Sequence, residues 1–368
     1  MRIWGALLLC GASAMLASAT APDPRYGEGD FDKVAKFDAH VHANVEDPRF
    51  LEVARRDGFH LLAINVDYPD FPPLPLQARV AQAMRAADPQ RLQFATTFSM
   101  QGFGTPGWTE RTIRAIDDAV AKGAVAVKVW KNIGMVAEDA QGKRVFIDDP
   151  RFDGVIAHLE QRRIPLIVHQ GEPKNCWLPL DQMTTENDRA YFKAHPEYYM
   201  YLHPEEPSYE ALMAARDRFV ARHPKLAFDG AHMASLEWSV DELAAFLDRY
   251  PNAMVDLAAR MSNLQAQSVG DRDRVRNFFV KYQDRVLYGT DLTDSPPDPA
   301  ARAQNPPATD DFAREADRVW RNDWRYLATP LGQRVDAIKA DAAGLDLPRA
   351  VIDKIYWKNA QRFFGRGR

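Results

Sequence analysis

Two cysteines in 368 residues exclude a disulfide framework and a cysteine-rich zinc module alike, so the fold must rest on a hydrophobic core. The chain also lacks a basic excess. Its 47 Lys and Arg stand against 51 Asp and Glu, a net charge of −4, which argues against nucleic acid or an anionic membrane as partner. Beyond residue 16 no apolar run approaches the length of a membrane span, so stable membrane insertion is not expected. Internal repeats, low-complexity tracts and an obvious interdomain linker are missing too. What is present, 46% hydrophobic and 27% charged residues, suits a large soluble core and a small-molecule substrate. A homo-oligomer is compatible with this composition.

The N-terminus reads as an export signal over residues 1–19. Arg2 is followed by an apolar run to Leu16, and Ala17-Ser18-Ala19 has the small-x-small pattern of a signal-peptidase site. The expected location is therefore periplasmic or secreted. Leu9 stands before Cys10 where lipid-attachment sites want a small residue, which argues against a lipoprotein. Cleavage would leave Cys176 as the single cysteine, beside Trp177, with the pattern of a buried small hydrophobe rather than a nucleophile.

Eight short apolar runs recur at 37–43, 61–66, 92–98, 124–130, 165–169, 226–232, 252–257 and 286–290. Stretches of helical period lie between most of them, such as Ile113, Ile116, Ala119 and Val120. This alternation predicts one (β/α)8 TIM-type barrel over residues 30–368. Two connections exceed ordinary barrel turns, 171–208 after the fifth strand and 292–311 after the eighth, and both are expected to shape the carboxyl mouth.

The histidines then acquire meaning. His40 and His42 are two apart on the first strand, which turns both imidazoles, with Asp38, to one face. His169 ends the fifth strand, His232 the sixth, and Asp291 follows the eighth. A barrel gathers such positions around one mouth, and several imidazoles with a carboxylate suit a divalent transition metal. Lys128 points inward from the fourth strand. It reads as the partner of Asp38 or Asp291, or as a cation awaiting a substrate carboxylate. Arg260, after the seventh strand, either grips an anionic substrate or pairs with a neighbouring acid. Glu172 is a substrate contact or a solvated loop acid, while Trp130, Lys131 and Trp177 are candidate pocket walls.

The motifs Phe-Asp-Ala-His-Val-His at 37–42, Val-His-Gln-Gly-Glu at 168–172, Gly-Ala-His-Met at 230–233, Tyr-Gly-Thr-Asp at 288–291 and the closing Asn-Ala-Gln-Arg-Phe-Phe-Gly from 359 resemble the amidohydrolase superfamily. More closely, they resemble its amidohydrolase-related (amidohydrolase 2) branch of metal-dependent hydrolases and decarboxylases. The resemblance spans nearly the whole mature chain. It implies one or two divalent ions, zinc by default, held by His40, His42, His169, His232 and Asp291, with Lys128 as a carboxylated ligand where two ions bind. On that basis Asp291 is the expected general base and acid, and His232 is either a ligand or a hydrogen-bond donor to the reacting oxygen.

The expected activity is hydrolysis of a small carbonyl substrate, a lactone, amide or ester that also carries a carboxylate in one variant. The alternative within the same branch is a non-oxidative decarboxylase or hydratase. A rival of another class is a ligand-binding barrel without catalysis, and the intact ligand set argues against it.

Overall fold

A computed structural model of the chain describes residues 24–68, 71–295 and 311–365. The export signal, Cys10 and most of the connection after the eighth strand lie outside these residues.

Each of the eight apolar runs overlaps a strand, and all pair in parallel. They are β1 Lys36–Ala43, β2 Phe59–Ile64, β3 Leu92–Thr97, β4 Ala124–Val129, β5 Leu166–Val168, β6 Phe228–Gly230, β7 Ala253–Asp256 and β8 Val286–Leu287. A further strand, β9 Leu292–Asp294, continues β8 and pairs with β1. Between them the Ala39 amide donates to Tyr288 O (2.9 Å) and the Asp291 amide to His40 O (2.7 Å), so the sheet curls shut into a TIM barrel. His60 lies within β2, its ring between Phe37 and Trp357.

Helices form where the periodic stretches are capped. Asp47 accepts the Arg49 amide at the start of Pro48–Arg56, and Ser239 accepts the Glu242 amide at the start of Val240–Arg249. Gly58 (φ 72°) and Gly123 (φ 103°) leave their helices in the left-handed conformation that glycine tolerates. The core has two layers. An outer one packs strands against helices around Phe50, Phe59, Phe94, Leu166 and Trp320. An inner one fills the barrel floor with Ala39, Leu62, Ile64, Ala126, Ile167 and Met254, and Phe363 and Phe364 of the last helix close it. On β4, Ala126 faces inward while Val127 and Val129 face the helices. Val125, at the strand's start, packs with the inner layer.

One departure bears on the site. The pairing of β1 with β2 shifts register between Asp38 and Val41, and this bulge breaks strict alternation. Asp38 therefore does not share the histidine face. It accepts Thr290 Oγ1 (2.6 Å) and Trp320 Nε1 (2.9 Å), the latter from the helix Asp311–Ala328. With Asp38 turned outward, the expected pairing of Lys128 with Asp38 falls away.

The 171–208 connection is a folded lobe. It contains the helix Glu186–Ala194 and four short 3-10 turns around its own small core of Cys176, Met183, Phe192 and Tyr199. Burial pushes the Cys176 thiol far up, with the charge of Glu172 adding to it, so it packs as an inert hydrophobe.

Candidate metal centre

The carboxyl ends of β1, β4, β5, β6 and β8 converge on a cavity of about 220 Å³. His40, His42, Lys128, His169, His232 and Asp291 line it together with Tyr68, Phe71, Trp130 and Lys131. One ligand atom each of His40, His232 and Asp291 lies within 4.8 Å of the others. His42 Nε2 stands 3.1 Å from Asp291 Oδ1, and His40 Nε2 3.5 Å from the same oxygen. The His169 ring packs on that of His232, with centroids 4.1 Å apart.

What fits these side chains to a metal is the way their outer nitrogens are held. His40 Nδ1 meets Asp256 Oδ2 at 2.7 Å, His42 Nδ1 meets Ile64 O at 2.8 Å and His232 Nδ1 meets Ala258 O at 2.9 Å. A carbonyl only accepts, so His42 and His232 carry their protons on Nδ1 and turn Nε2 lone pairs inward, and a carboxylate does the same for His40. His169 Nε2 is buried with no hydrogen-bond partner in the protein, a costly state that an ion would relieve.

The electrostatics agree. Burial, reinforced by the charge of Lys128 and opposed by Asp256, lowers the His40 pKa. Burial also takes His169 and His232 well below the usual imidazole value, so these rings are neutral and ready to ligate. Burial alone would raise Asp291, yet the close imidazoles of His232, His42 and His40 favour its ionised form and hold the carboxyl well below its ordinary range. Lys128, whose Nζ lies 3.3 Å from His40 Nε2, is depressed by burial to about 8 against the pull of Asp256, Asp291 and Asp229.

The backbone that carries His232 is strained. His232, Met233, Ala234 and Ser235 have φ of 56°, 59°, 54° and 57°, a run of left-handed residues without glycine. Each costs about 1–2 kcal/mol in an L-residue. The surroundings hold it in place: the His232 amide donates to Asp256 Oδ1 (2.7 Å), Ser235 Oγ to Gln170 O (2.6 Å), and Arg216 to Ala234 O. Such strain concentrates at functional sites.

The remaining expected contacts are distributed unevenly. Lys131 and Glu172 form a close ion pair, and Glu172 is buried, so it is not a solvated loop acid. Trp130 is half-buried and lines the cavity. Arg260 has its Nη1 on Ala259 O (3.1 Å) and its Nε buried without a partner; it does not line the 220 Å³ cavity. Trp177 lies away from the mouth. Its Nε1 donates to Pro207 O (3.2 Å) and its ring packs on Tyr209, so it supports the lobe.

Two residues that the sequence reading passed over are central. Asp256 takes three hydrogen bonds, from His40 Nδ1, the His232 amide and the Ala258 amide. Asp229 is fully buried with neither oxygen hydrogen-bonded, and burial with the nearby Asp256 charge raises it well above the carboxylate range. The available signal was an acidic residue inside each of two apolar strand runs, Ala-Phe-Asp-Gly and Met-Val-Asp-Leu.

The amidohydrolase family model (amidohydrolase 2) matches residues 37–366, a span that includes every candidate ligand. No curated protein matches the chain. Among solved structures, an uncharacterised TIM-barrel protein from Bordetella bronchiseptica aligns at TM-score 0.51 and 14% identity, covering 91% of this chain and 99% of its own. A 2,6-dihydroxybenzoate decarboxylase from Rhizobium gives 0.49 at 15% identity, covering 90% and 99%. A 5-carboxyvanillate decarboxylase from Novosphingobium aromaticivorans, solved with bound manganese, gives 0.45 at 12% identity, covering 92% and 99%. At these identities the likeness is one of fold. The family match covers nine-tenths of the sequence, from the first-strand histidines to the closing helix, and on it the chain belongs to the amidohydrolase family.

Proposed function

We propose that this protein is a metal-dependent decarboxylase of a small, flat carboxylate, the second of the two chemistries expected from its sequence, in place of the hydrolase put first there. The observation that carries the reading is the make-up of the mouth. Tyr68, Phe71 and Trp130 wall a cavity that fits only a small, flat reacting group, and Lys128 brings positive charge to it. The Tyr68 ring lies 4.6 Å from Trp130 and 5.2 Å from Phe71, a wall suited to a planar face.

His40, His42, His169, His232 and Asp291 would hold the ion, with zinc or manganese compatible with this donor set. A divalent ion there supplies Lewis acidity toward a carboxylate or carbonyl oxygen. Trp130 and Phe71 orient the substrate plane, and Lys128 offers charge to its anionic end. Asp291 would act first as base and then as acid: ionised at rest, it takes a proton from water at the mouth and hands it to the carbon that loses the carboxyl group. His232 would complete the ion's shell or donate to the reacting oxygen.

The hydrolase reading keeps one specific observation in its favour. Lys128 stands at 3.3 Å from His40 Nε2 with a pKa of about 8, so a useful fraction is the free amine that takes up carbon dioxide as a carbamate. Metal content of the full chain with and without Lys128→Ala tests this. About one equivalent, unchanged by the substitution, supports the mononuclear decarboxylase; two falling to one supports a bridging carbamate and hydrolysis. Turnover in heavy-oxygen water and in deuterium oxide then reads the bond directly. Deuterium on the product carbon with carbon dioxide released supports decarboxylation, and heavy oxygen in the product refutes it.

We also propose that the protein is exported, on the strength of the apolar run and Ala17-Ser18-Ala19. Recovery from producing cells of a chain that still begins at Met1 would refute cleavage. Among the described residues no helix is long and apolar enough to cross a membrane.

A further inference from the structure

Beside the metal mouth lies a second cavity, larger at about 520 Å³. The two share Tyr68, Trp130 and Lys131, so Trp130 is a partition between an inner and an outer chamber. The 171–208 lobe supplies the far wall through Tyr191, Tyr198 and Met200, and the segment after β4 supplies Met135 and Val136.

Two properties decide what the outer chamber takes. First, its wall exposes apolar surface. Of the seven exposed large hydrophobic residues among the described ones, Val136, Tyr191 and Tyr198 line it, and Tyr201 and Leu202 follow in the same lobe. Exposed apolar groups concentrated at one concave place mark a binding site. Second, its cations are already spoken for. Lys131 pairs with Glu172, and Arg144 lies 2.7 Å from Glu206 and 3.7 Å from Glu138. Glu197 adds a further carboxylate to the lining. His203, also on the wall, is held by Pro196 O (2.9 Å) and Glu205 (3.4 Å), so among the described residues no lining cation is left for a second anion, and the acid excess repels one.

We propose that the outer chamber is a subsite for an uncharged, aromatic tail, so that the substrate is bipartite: one carboxylate head at the mouth and an apolar tail beyond Trp130. The assignment of the head rests on the decarboxylase reading; the chamber itself does not. The lobe is then the element that sets specificity, and tail length is read against Tyr198 and Val136.

Equilibrium binding to the full, metal-loaded chain, followed by tryptophan fluorescence and by calorimetry, tests this with benzoate, biphenyl-4-carboxylate and biphenyl-4,4′-dicarboxylate. The monoacid biphenyl should bind at least about ten-fold tighter than benzoate, as burial of one more ring allows, and the diacid should lose that gain. In the exposed-site variants Val136→Asp and Tyr198→Ser, which leave the core untouched, the ratio of biphenyl to benzoate affinity should fall toward one. The neutral probe 2-naphthol separates the two ideas. Naphthol binding that the same variants weaken, without any carboxylate preference, upholds the chamber and refutes the head assignment. Equal affinity for benzoate and biphenyl-4-carboxylate, or a gain untouched by both variants, overturns the chamber.

Discussion

Replacing Asp256 by Asn changes a single atom and should disable the metal centre. Asp256 Oδ1 accepts the amides of His232 (2.7 Å) and Ala258 (3.1 Å), while Oδ2 accepts His40 Nδ1 (2.7 Å). An asparagine keeps one acceptor. Two backbone donors claim it, so the new NH2 group faces His40 Nδ1, which must then accept. The proton of His40 moves to Nε2, the nitrogen that faces Asp291, Lys128 and any bound ion, and the ring can no longer ligate. Loss of such a supporting partner costs about 10- to 100-fold in metal affinity, or about 1.4–2.7 kcal/mol. Losing a charge-assisted bond costs the apo protein about 1.5–3 kcal/mol, offset in part because Asp256 no longer disfavours ionised Asp229. Competition with a chromogenic chelator at pH 7 measures the affinity, and urea unfolding of the apo protein measures the stability. Asp256→Asn that binds zinc or manganese within about three-fold of the parent protein would refute the tautomer argument, since the range above excludes so small a change.

Gly230→Ala should fail for packing, because an added Cβ would lie 2.5 Å from the Ala234 Cβ and 3.0 Å from its Cα. The expected loss is about 1–3 kcal/mol, seen as a lower urea midpoint, and the pair with Ala234→Gly should recover part of it; strictly additive losses would contradict that contact. Asp323, buried and accepting Tyr288 OH at 2.8 Å, is raised to about 7 mainly by its burial. A raised carboxyl stabilises the fold fully below its unfolded pKa and loses that contribution as pH climbs through 7. Asp323→Asn keeps the acceptor and cannot ionise, so relative to the parent it should gain stability between about pH 4 and pH 7, by at most about 4 kcal/mol in all. A difference between the two proteins that does not vary with pH would count against this.

Much of the barrel was legible because its signals are local. Alternation of apolar runs with helical periods requires no knowledge of partners, and the five candidate ligands stand at strand ends, which any closed parallel barrel brings to one mouth. His40, His42, His169, His232 and Asp291 therefore meet around one cavity, as their sequence positions imply. Glu172 and Trp177 illustrate what local reading misses. One is held by a lysine 41 positions earlier, the other by a carbonyl 30 positions later, and neither neighbour follows from spacing.

The sequence by itself determined which residues can ligate and at which strand ends they stand, because residue chemistry and periodicity are properties of short segments. Tertiary structure alone decided the bulge that turns Asp38 from the histidine face to Trp320, since register is fixed by the neighbouring strand. It also decided that Asp256, 216 positions from His40, sets which nitrogen of that ring faces the centre. A proton's place on an imidazole depends on the group across from it, and only folding supplies that group.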